Sequence, residues 1–479
     1  MKKKASSLWI KAVALLWLTA SVLTLQAQKG EMPNILLVFA DDLGYKDCGF
    51  TGSKVFETPH LDALAQKGMV FSNAYASAGN CAPSRAGLMS GRYSPRHGVY
   101  AVGSTTRGPR KQMRLVPVRN TGELAPSFVT MAEALKARGY TTGLFGKWHL
   151  GTADSTEPRA QGFDTWFDSR QGNPNKKREL PEDPKGIFSL TEAALGFMEQ
   201  NRQRPFFAFL SHHAIHSSLE ARPSSIRRFR DKGLDPKAAL YAACIYDLDE
   251  SVGKLMAYLA RTGLDKNTLV VFTSDNGATQ QSSQEPLRGS KGGYYEGGIR
   301  EPFIACWPGR IKPASHNPTP IINLDLYPTF LAAAGHDAAA TDGENLLPLL
   351  LGKRPATKRS SLFWHFPGYL DNPVIRGRDN IFRTRPVTVV RKGDWKLHLY
   401  HEEWILDRGK EGLATNNAVE LYNLRQDEGE RTNLASTHTA RRDELLNDLL
   451  AWMKSVKAPM PVPIDAAHPL NDSDGGEEH

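Results

Sequence analysis

Apolar residues run almost unbroken through 34–40 (Asn-Ile-Leu-Leu-Val-Phe-Ala) and stop at Asp41-Asp42. Such a run predicts a strand covered on both faces, as in a parallel sheet under helices. Residues 142–145, 206–210 and 269–273 have the same character. Between these runs, apolar positions recur at helical spacing. Ser127 is placed to cap a helix that carries Phe128, Met131 and Leu135 and stops at Gly139. Tyr241, Ile245, Leu248, Val252, Leu255 and Leu259 form one long stripe, which predicts a helix facing the core. Strands alternating with helices predict a doubly wound α/β domain over residues 33–352.

The pattern then changes. A basic, proline-containing stretch at 353–359 reads as a linker. Short runs at 387–391, 395–400 and 419–422 predict a small antiparallel sheet, and 440–456 predicts a closing helix. These make a C-terminal subdomain over 360–458. Residues 459–479 are proline-rich and then acidic, which predicts a mobile tail. At the other end, Lys2 to Lys4, an apolar core at 12–25 and Ala27 have the order of a secretory signal over residues 1–27. That core is short for a membrane span, and no later stretch is long and apolar enough for one. The expectation is export to the periplasm, without an integral membrane segment.

The 479 residues carry a formal charge of +9, of which Lys2, Lys3, Lys4 and Lys11 belong to the signal segment. The mildly basic remainder is compatible with a polyanionic substrate. No nucleic-acid partner is expected. Cys48, Cys81, Cys244 and Cys306 are scattered, with neither a disulfide framework nor zinc spacing. Three of them read as packed thiols. Cys81 differs because of its surroundings, Cys-Ala-Pro-Ser-Arg-Ala-Gly-Leu-Met-Ser-Gly-Arg over 81–92. Pro83 suits a first helical turn and Gly91 a helix stop, so Cys81 falls at a helix N-terminus, where backbone N–H groups favour an anion.

Asp41 and Asp42 end one predicted strand, and Asp275-Asn276 closely follow another. Adjacent aspartates also cap helices, and Asp-Asn-Gly is a common turn. Brought together at the carboxyl edge of a sheet, they would make an all-oxygen site for a hard cation.

The 81–92 stretch resembles the signature of the formylglycine (type I) sulfatases, arylsulfatase-like members of the alkaline phosphatase superfamily. Gly146-Lys147-Trp148-His149-Leu150-Gly151, Arg288-Gly289-Ser290-Lys291-Gly292 and Tyr295 to Arg300 match further family motifs. The resemblance implies an alkaline-phosphatase-like sandwich: a large central mixed sheet flanked by helices, plus the antiparallel subdomain. It implies that a maturation enzyme oxidises Cys81 to formylglycine, whose hydrate attacks sulfur with one hydroxyl and expels sulfate through the other. It implies one Ca²⁺, rather than Mg²⁺, on Asp41, Asp42, Asp275, Asn276 and the modified Cys81. Arg85, Lys147 and Lys291 would offset charge at sulfate, with Arg288 as a further substrate contact. His149 would assist proton removal from the hydrate. After the run at 206–210 stand His212, His213 and His216. His216 aligns best as the acid that protonates the leaving oxygen, and His213 competes with it.

The substrate implied is a sulfated carbohydrate, of galactose or N-acetylgalactosamine type. Residues 363–367 (Phe-Trp-His-Phe-Pro) offer an aromatic face beside an imidazole, and Arg376, Arg378, Arg383 and Arg385 follow. His365 and Arg383 are the residues chosen for sugar contact, with the loop at 103–123 next in line. Packing between subdomains and solvated arginines are the plainer reading. Two rival functions stay open on the sequence: a phosphodiesterase or phosphonate monoester hydrolase of the same superfamily, and a silent protein that binds sulfated glycans.

Overall fold

Alternation along the strands sorts side chains onto two faces, and each face gathers its own helices. A computed structural model describes residues 32–169, 180–337 and 341–470. The expected signal segment, 1–27, lies outside the described residues, as do 471–479. Eight strands form the central sheet: β1 Asn34–Ala40, β2 Met69–Phe71, β3 Thr141–Gly146, β4 Thr165–Phe167, β5 Phe206–Ser211, β6 Thr268–Ser274, β7 Ile304–Cys306 and β8 Ser315–Asn317. Their order is β8-β2-β7-β6-β1-β5-β3-β4. Strands β6, β1, β5, β3 and β4 are mutually parallel, whereas β7 runs antiparallel to both of its neighbours. The sheet is therefore mixed, as the resemblance implied.

Ile35, Leu37, Phe39, Phe207 and Phe209 face one core, with Met89, Met131 and Phe330 from the helices above. Leu36, Val38, Leu210, Val270 and Phe272 face the other, with Leu61, Leu190, Leu248 and Val252. Each such side chain is fully buried and contributes about 1.5–3 kcal/mol. The long stripe lies on helix Pro236–Thr262, capped by Asp235 and stopped by Gly263. The cap expected at Ser127 is instead Thr130, at the head of helix Met131–Lys136. Its hydroxyl accepts the Glu133 N–H at 3.1 Å, and the Glu133 carboxylate accepts the Thr130 N–H at 2.7 Å. This reciprocal pair satisfies two N–H groups where Ser127 would satisfy one.

The C-terminal sheet pairs β9 Ser361–Phe366, β10 Val387–Lys392, β11 Trp395–Tyr400 and β12 Val419–Asn423 antiparallel in chain order. Helix Thr439–Ser455 covers one face through Leu445, Leu446 and Leu449. The stretch at 353–359 is tied down rather than slack, because Arg359 makes two 2.6 Å bonds to Asp325. The mobile tail expected from residue 459 also needs correction. Val462–Pro463 pairs with Leu115–Val116, the Pro459 carbonyl meets the His365 ring at 2.9 Å, and Leu470 packs beside Tyr369 and Phe382. Backbone pairing and one apolar anchor hold this stretch despite its composition. All four cysteines are free and buried.

One ionic cluster ties the C-terminal sheet, through Lys396, to the short helix Glu296–Ile299 and to Tyr75 of the large domain. The fully buried Lys396 ammonium lies 3.0 Å from both Glu296 and Glu430, and Tyr75 donates to Glu296 at 2.7 Å. Removing the cation leaves two buried carboxylates face to face. Lys396→Met should cost about 3–5 kcal/mol, read as a lower urea midpoint and a lower thermal midpoint. A loss within about 0.5 kcal/mol of wild type, the size of an ordinary surface change, would show that this cluster does not secure the interface.

Candidate active site

The parallel strands β6, β1, β5 and β3 end side by side, and the residues just past their carboxyl ends converge. Asp41 and Asp42 follow β1, Asp275 and Asn276 follow β6, Lys147 follows β3, and His212, His213 and His216 follow β5. Over this edge stands helix Cys81–Ser90, with Cys81 as its first residue, Pro83 in its first turn and Gly91 left-handed (φ 64°) after it. Every residue of this helix is buried. Arg85 lies one turn after Cys81, on the same side.

Ligand atoms of Asp41, Asp42, Cys81 and Asp275 all lie within 4.8 Å of one another. Each carboxylate has its own cation. Lys147 Nζ donates to Asp41 at 2.6 Å, Lys291 Nζ to Asp42 at 2.8 Å, and Arg85 Nε to Asp275 at 2.9 Å. Arg85 also donates to the Ser211 hydroxyl at 2.6 Å and the Lys147 carbonyl at 3.1 Å, which fixes the ends of β5 and β3 together. Gly146 turns the chain at φ 108°, because a β-carbon there would strike the Ser211 carbonyl at 2.0 Å. His149 is itself left-handed (φ 65°). Lys147 and His149 therefore reach the site through left-handed backbone at Gly146 and His149 rather than along an extended segment.

The charges follow from this packing. Burial alone would raise the Asp41 carboxyl, but Lys147, His216 and Arg85 hold it well below the ordinary carboxylate range. Asp42 is likewise lowered against its burial, mainly by Lys291. Asp275 is raised to about 6 by burial and by Asp41, against Arg85. Burial, then the Asp275 charge, pushes the Cys81 thiol well above its usual value despite Lys147. A thiol held neutral is a poor nucleophile, and Sγ sits 3.4 Å from Asp41 Oδ1. An aldehyde in its place would carry no such charge penalty.

The residues present fit a hard divalent cation. Asn276 Nδ2 donates to Asp42 at 2.7 Å, while its Oδ1 is buried without a hydrogen-bond partner. A buried amide oxygen lacking a donor, beside carboxylates kept charged, is a donor set for an oxygen-loving ion.

A cavity of about 390 Å³ opens over Cys81, lined also by His149, His216, Lys291, Arg107 and Arg383. His216 Nε2 lies 3.8 Å from Asp42 Oδ2. Burial and Lys291 lower its pKa to about 4. Burial, then Lys147 and Arg85, keep His149 well below the ordinary histidine value. His213 instead bonds Asp168 at 2.8 Å and lines an adjoining cavity of about 430 Å³ with Lys147 and Trp148. His212 meets the Ser251 hydroxyl at 3.1 Å.

Two expected contacts are not at the cavity. The Arg288 guanidinium is spent on the carbonyls of Arg376, Gly377 and Glu430 and on the Tyr422 hydroxyl, with its face on the Tyr295 ring. His365 is buried between Thr388 (2.7 Å) and the Pro459 carbonyl. Strand alternation turns it to the same side as Phe363, which stacks on Trp452 of the closing helix. Arg383 does line the cavity. Sequence reasoning missed Arg107, although the signal was present: it belongs to the 103–123 loop named as the next candidate.

Residues 33–336 match the model of the sulfatase family, and residues 290–458 match that of the C-terminal region of N-sulphoglucosamine sulphohydrolase. Arylsulfatase A of Homo sapiens is 33% identical over 469 residues, covering 87% of this chain and 86% of that protein. N-acetylgalactosamine-6-sulfatase of Rattus norvegicus is 32% identical over 501 residues, covering 92% and 89%. The crystal structure of Ps i-CgsB in complex with k-i-k-neocarrahexaose superposes with a TM-score of 0.71 at 27% identity, covering 93% of this chain and 96% of that one. The chain belongs to the sulfatase family, and is a sulfuric ester hydrolase.

The donor set gives a test that needs no substrate. A divalent cation added to chelator-treated protein should raise the thermal midpoint, with about 2.7 kcal/mol of stabilisation at a hundred times its Kd. Asn276→Ala should weaken binding, read by calorimetry. An affinity equal to wild type would remove the amide oxygen from the set.

Proposed function

We propose that this chain is exported to the periplasm, where it hydrolyses a sulfate ester on a galactose- or N-acetylgalactosamine-type unit of a sulfated glycan, with formylglycine made from Cys81 and one bound Ca²⁺. The observation that carries the reading is the convergence around one helix-start cysteine of three buried carboxylates, each matched to a cation, and of two imidazoles lining the cavity above it, both lowered by burial and those cations. The glycan class is supported by the N-acetylgalactosamine-6-sulfatase and oligosaccharide-bound relatives. No described helix is long and apolar enough to cross a membrane.

Asp41, Asp42, Asp275 and Asn276 would hold the Ca²⁺, which supplies positive charge for sulfate oxygens when bound. The aldehyde hydrate at position 81 supplies both the attacking hydroxyl and the one whose deprotonation releases sulfate. Lys147 has three N–H donors and spends one on Asp41, so the others are available to a sulfate oxygen. Lys291 does the same from the far side, beside the leaving oxygen. Pre-positioned donors of this kind are worth about 2.7–4 kcal/mol of barrier each. Burial, then Lys147 and Arg85, hold His149 well below the ordinary histidine value, and its buried Nδ1 lacks a partner, so the ring is placed to accept a hydroxyl proton. His216 faces the cavity and hands a proton to the departing sugar oxygen.

Peptide mass spectrometry of active protein should find an aldehyde at position 81. Full activity with an intact thiol there would overturn the proposed chemistry. A nitrophenyl sulfate should be cleaved faster than a nitrophenyl phosphodiester, and the reverse order would favour the phosphodiesterase reading.

A sugar alkoxide needs a proton as it leaves, whereas a nitrophenolate does not. His216→Ala should therefore lower kcat on the sulfated sugar by about 10²–10⁴-fold and nitrophenyl sulfate turnover far less. Equal losses on both substrates would move the acid elsewhere, with His213 next.

A further inference from the structure

Four arginines follow the start of the C-terminal subdomain, and three are neutralised. Arg376 meets Glu285 at 3.4 Å, Arg378 meets Glu403 at 2.7 Å and Glu420 at 3.1 Å, and Arg385 meets Asp379 and Glu402 at 2.6 Å each. Arg383 is different. Its guanidinium donates to two carbonyls, those of Asn372 at 3.1 Å and Lys291 at 3.4 Å. No described carboxylate lies within ion-pair distance of it. It lines the Cys81 cavity together with Arg107, whose own partner is Asp371 at 2.6 Å. The two guanidiniums are near enough for Arg107, after burial, to lower the proton affinity of Arg383.

The backbone is shaped to keep Arg383 there. A β-carbon at Gly292 would lie 2.3 Å from Arg383 Cδ, and Gly292 is left-handed at φ 89°. The arginine stem therefore lies across the loop that carries Lys291, and its head group sits beside the sulfate-binding lysine. Two guanidiniums line one cavity, and among the described residues only one of them, Arg107, is ion-paired, which leaves Arg383 as a cation that the hydrolysis of one sulfate does not use. Thr279, Gln280 and Gln281 line the same cavity and offer neutral partners for hydroxyls.

We propose that Arg383 and Arg107 form a second anion subsite, and that the substrate carries another acidic group, a sulfate or a carboxylate, on the sulfated sugar or its neighbour. The guanidinium fork matches two oxygens of either group. This rests on the sulfated-glycan reading above and narrows it to multiply anionic glycans.

The test compares N-acetylgalactosamine 6-sulfate with N-acetylgalactosamine 4,6-disulfate. Wild type should favour the disulfate by about tenfold or more in kcat/KM, and the preference should shrink with salt. Arg383→Gln and Arg107→Gln should each bring the ratio towards one. Asp371→Asn removes the intervening carboxylate and should move the ratio the other way. The same ratio, read as affinity by calorimetry on the Cys81→Ala protein, is independent of maturation. Equal kcat/KM on the two sugars overturns the second subsite and leaves the hydrolase. A protein that cleaves neither, yet binds the disulfate about tenfold more tightly, overturns the hydrolase reading and leaves the subsite. A preference unaltered in both arginine variants, or no binding of either sugar, overturns the proposal.

Discussion

Asp41, Asp42 and Asp275 are buried within a few ångströms of one another at the edge of the central sheet. Two unit charges 4 Å apart repel by about 4 kcal/mol even at an effective dielectric of 20. The arrangement is tenable because each carboxylate is given a cation. The architecture around the site can be read as the means of delivering those three. Lys147 comes from the end of a parallel strand, turned inward by Gly146. Arg85 comes from the first turns of a helix buried on every side, and it also clamps two strand ends. Lys291 comes from a loop. Three against three leaves the inner site neutral before any ion enters, so the charge of an added dication is not spent on the protein.

The loop that carries Lys291 is bonded to the large domain, Lys291 N–H to the Ala278 carbonyl at 2.8 Å and Gly292 N–H to the Gly79 carbonyl at 2.7 Å, and the small subdomain adds a second hold on either side. Arg288, three residues earlier, spends its donors on the Arg376, Gly377 and Glu430 carbonyls and on Tyr422. Glu296, five residues later, is pinned by Lys396 and Tyr75, and Glu430 accepts its N–H at 2.6 Å. The subdomain thus fixes one of the three cations. Arg383, which closes over Gly292, comes from the same side. A boundary drawn at the 353–359 stretch separates two sheets, but not two independent functions.

Four of the eight central strands, β1, β3, β5 and β6, were legible because burial on both faces leaves an unbroken apolar run, whereas β2, β4, β7 and β8 are only three residues long and leave no such run. The clustering of Asp41, Asp42, Cys81 and Asp275 was legible because motifs fix residue types at fixed spacing after strand ends. What was not legible depended on where a side chain points after distant elements pack. His365 follows an aromatic face in sequence, yet alternation along its strand sends it under Pro459, away from the cavity. Arg288 lies in the right loop, but four acceptors from the subdomain surround it first. Thr130 displaced Ser127 because Glu133 completes its cap. The stretch at 459–470 looked unstructured by composition, and its partners, a short strand at 115–116, His365 and the Tyr369–Phe382 pair, are all far away in sequence. Arg107 stood in a loop without a motif, where nothing local distinguishes a cavity arginine from a solvated one.

The two cavity imidazoles are kept neutral by the same cations that would receive sulfate, and this separates their roles. After burial, Lys291 is the main influence on His216, whereas Lys147 and Arg85 act on His149. An arriving sulfate ester brings negative charge against those cations, and a nearby anion raises the proton affinity of an imidazole. His216, at about 4 and 3.8 Å from Asp42, is the one whose proton affinity that change brings towards neutrality. Its acid form is then favoured when a leaving oxygen is in place to receive the proton, and disfavoured in the empty cavity. His149 is also held well below the ordinary value, and its buried Nδ1 is without a partner. On the proposed assignment of His216 as acid and His149 as base, one set of charges would bind the anion and couple the acid's proton affinity to its arrival.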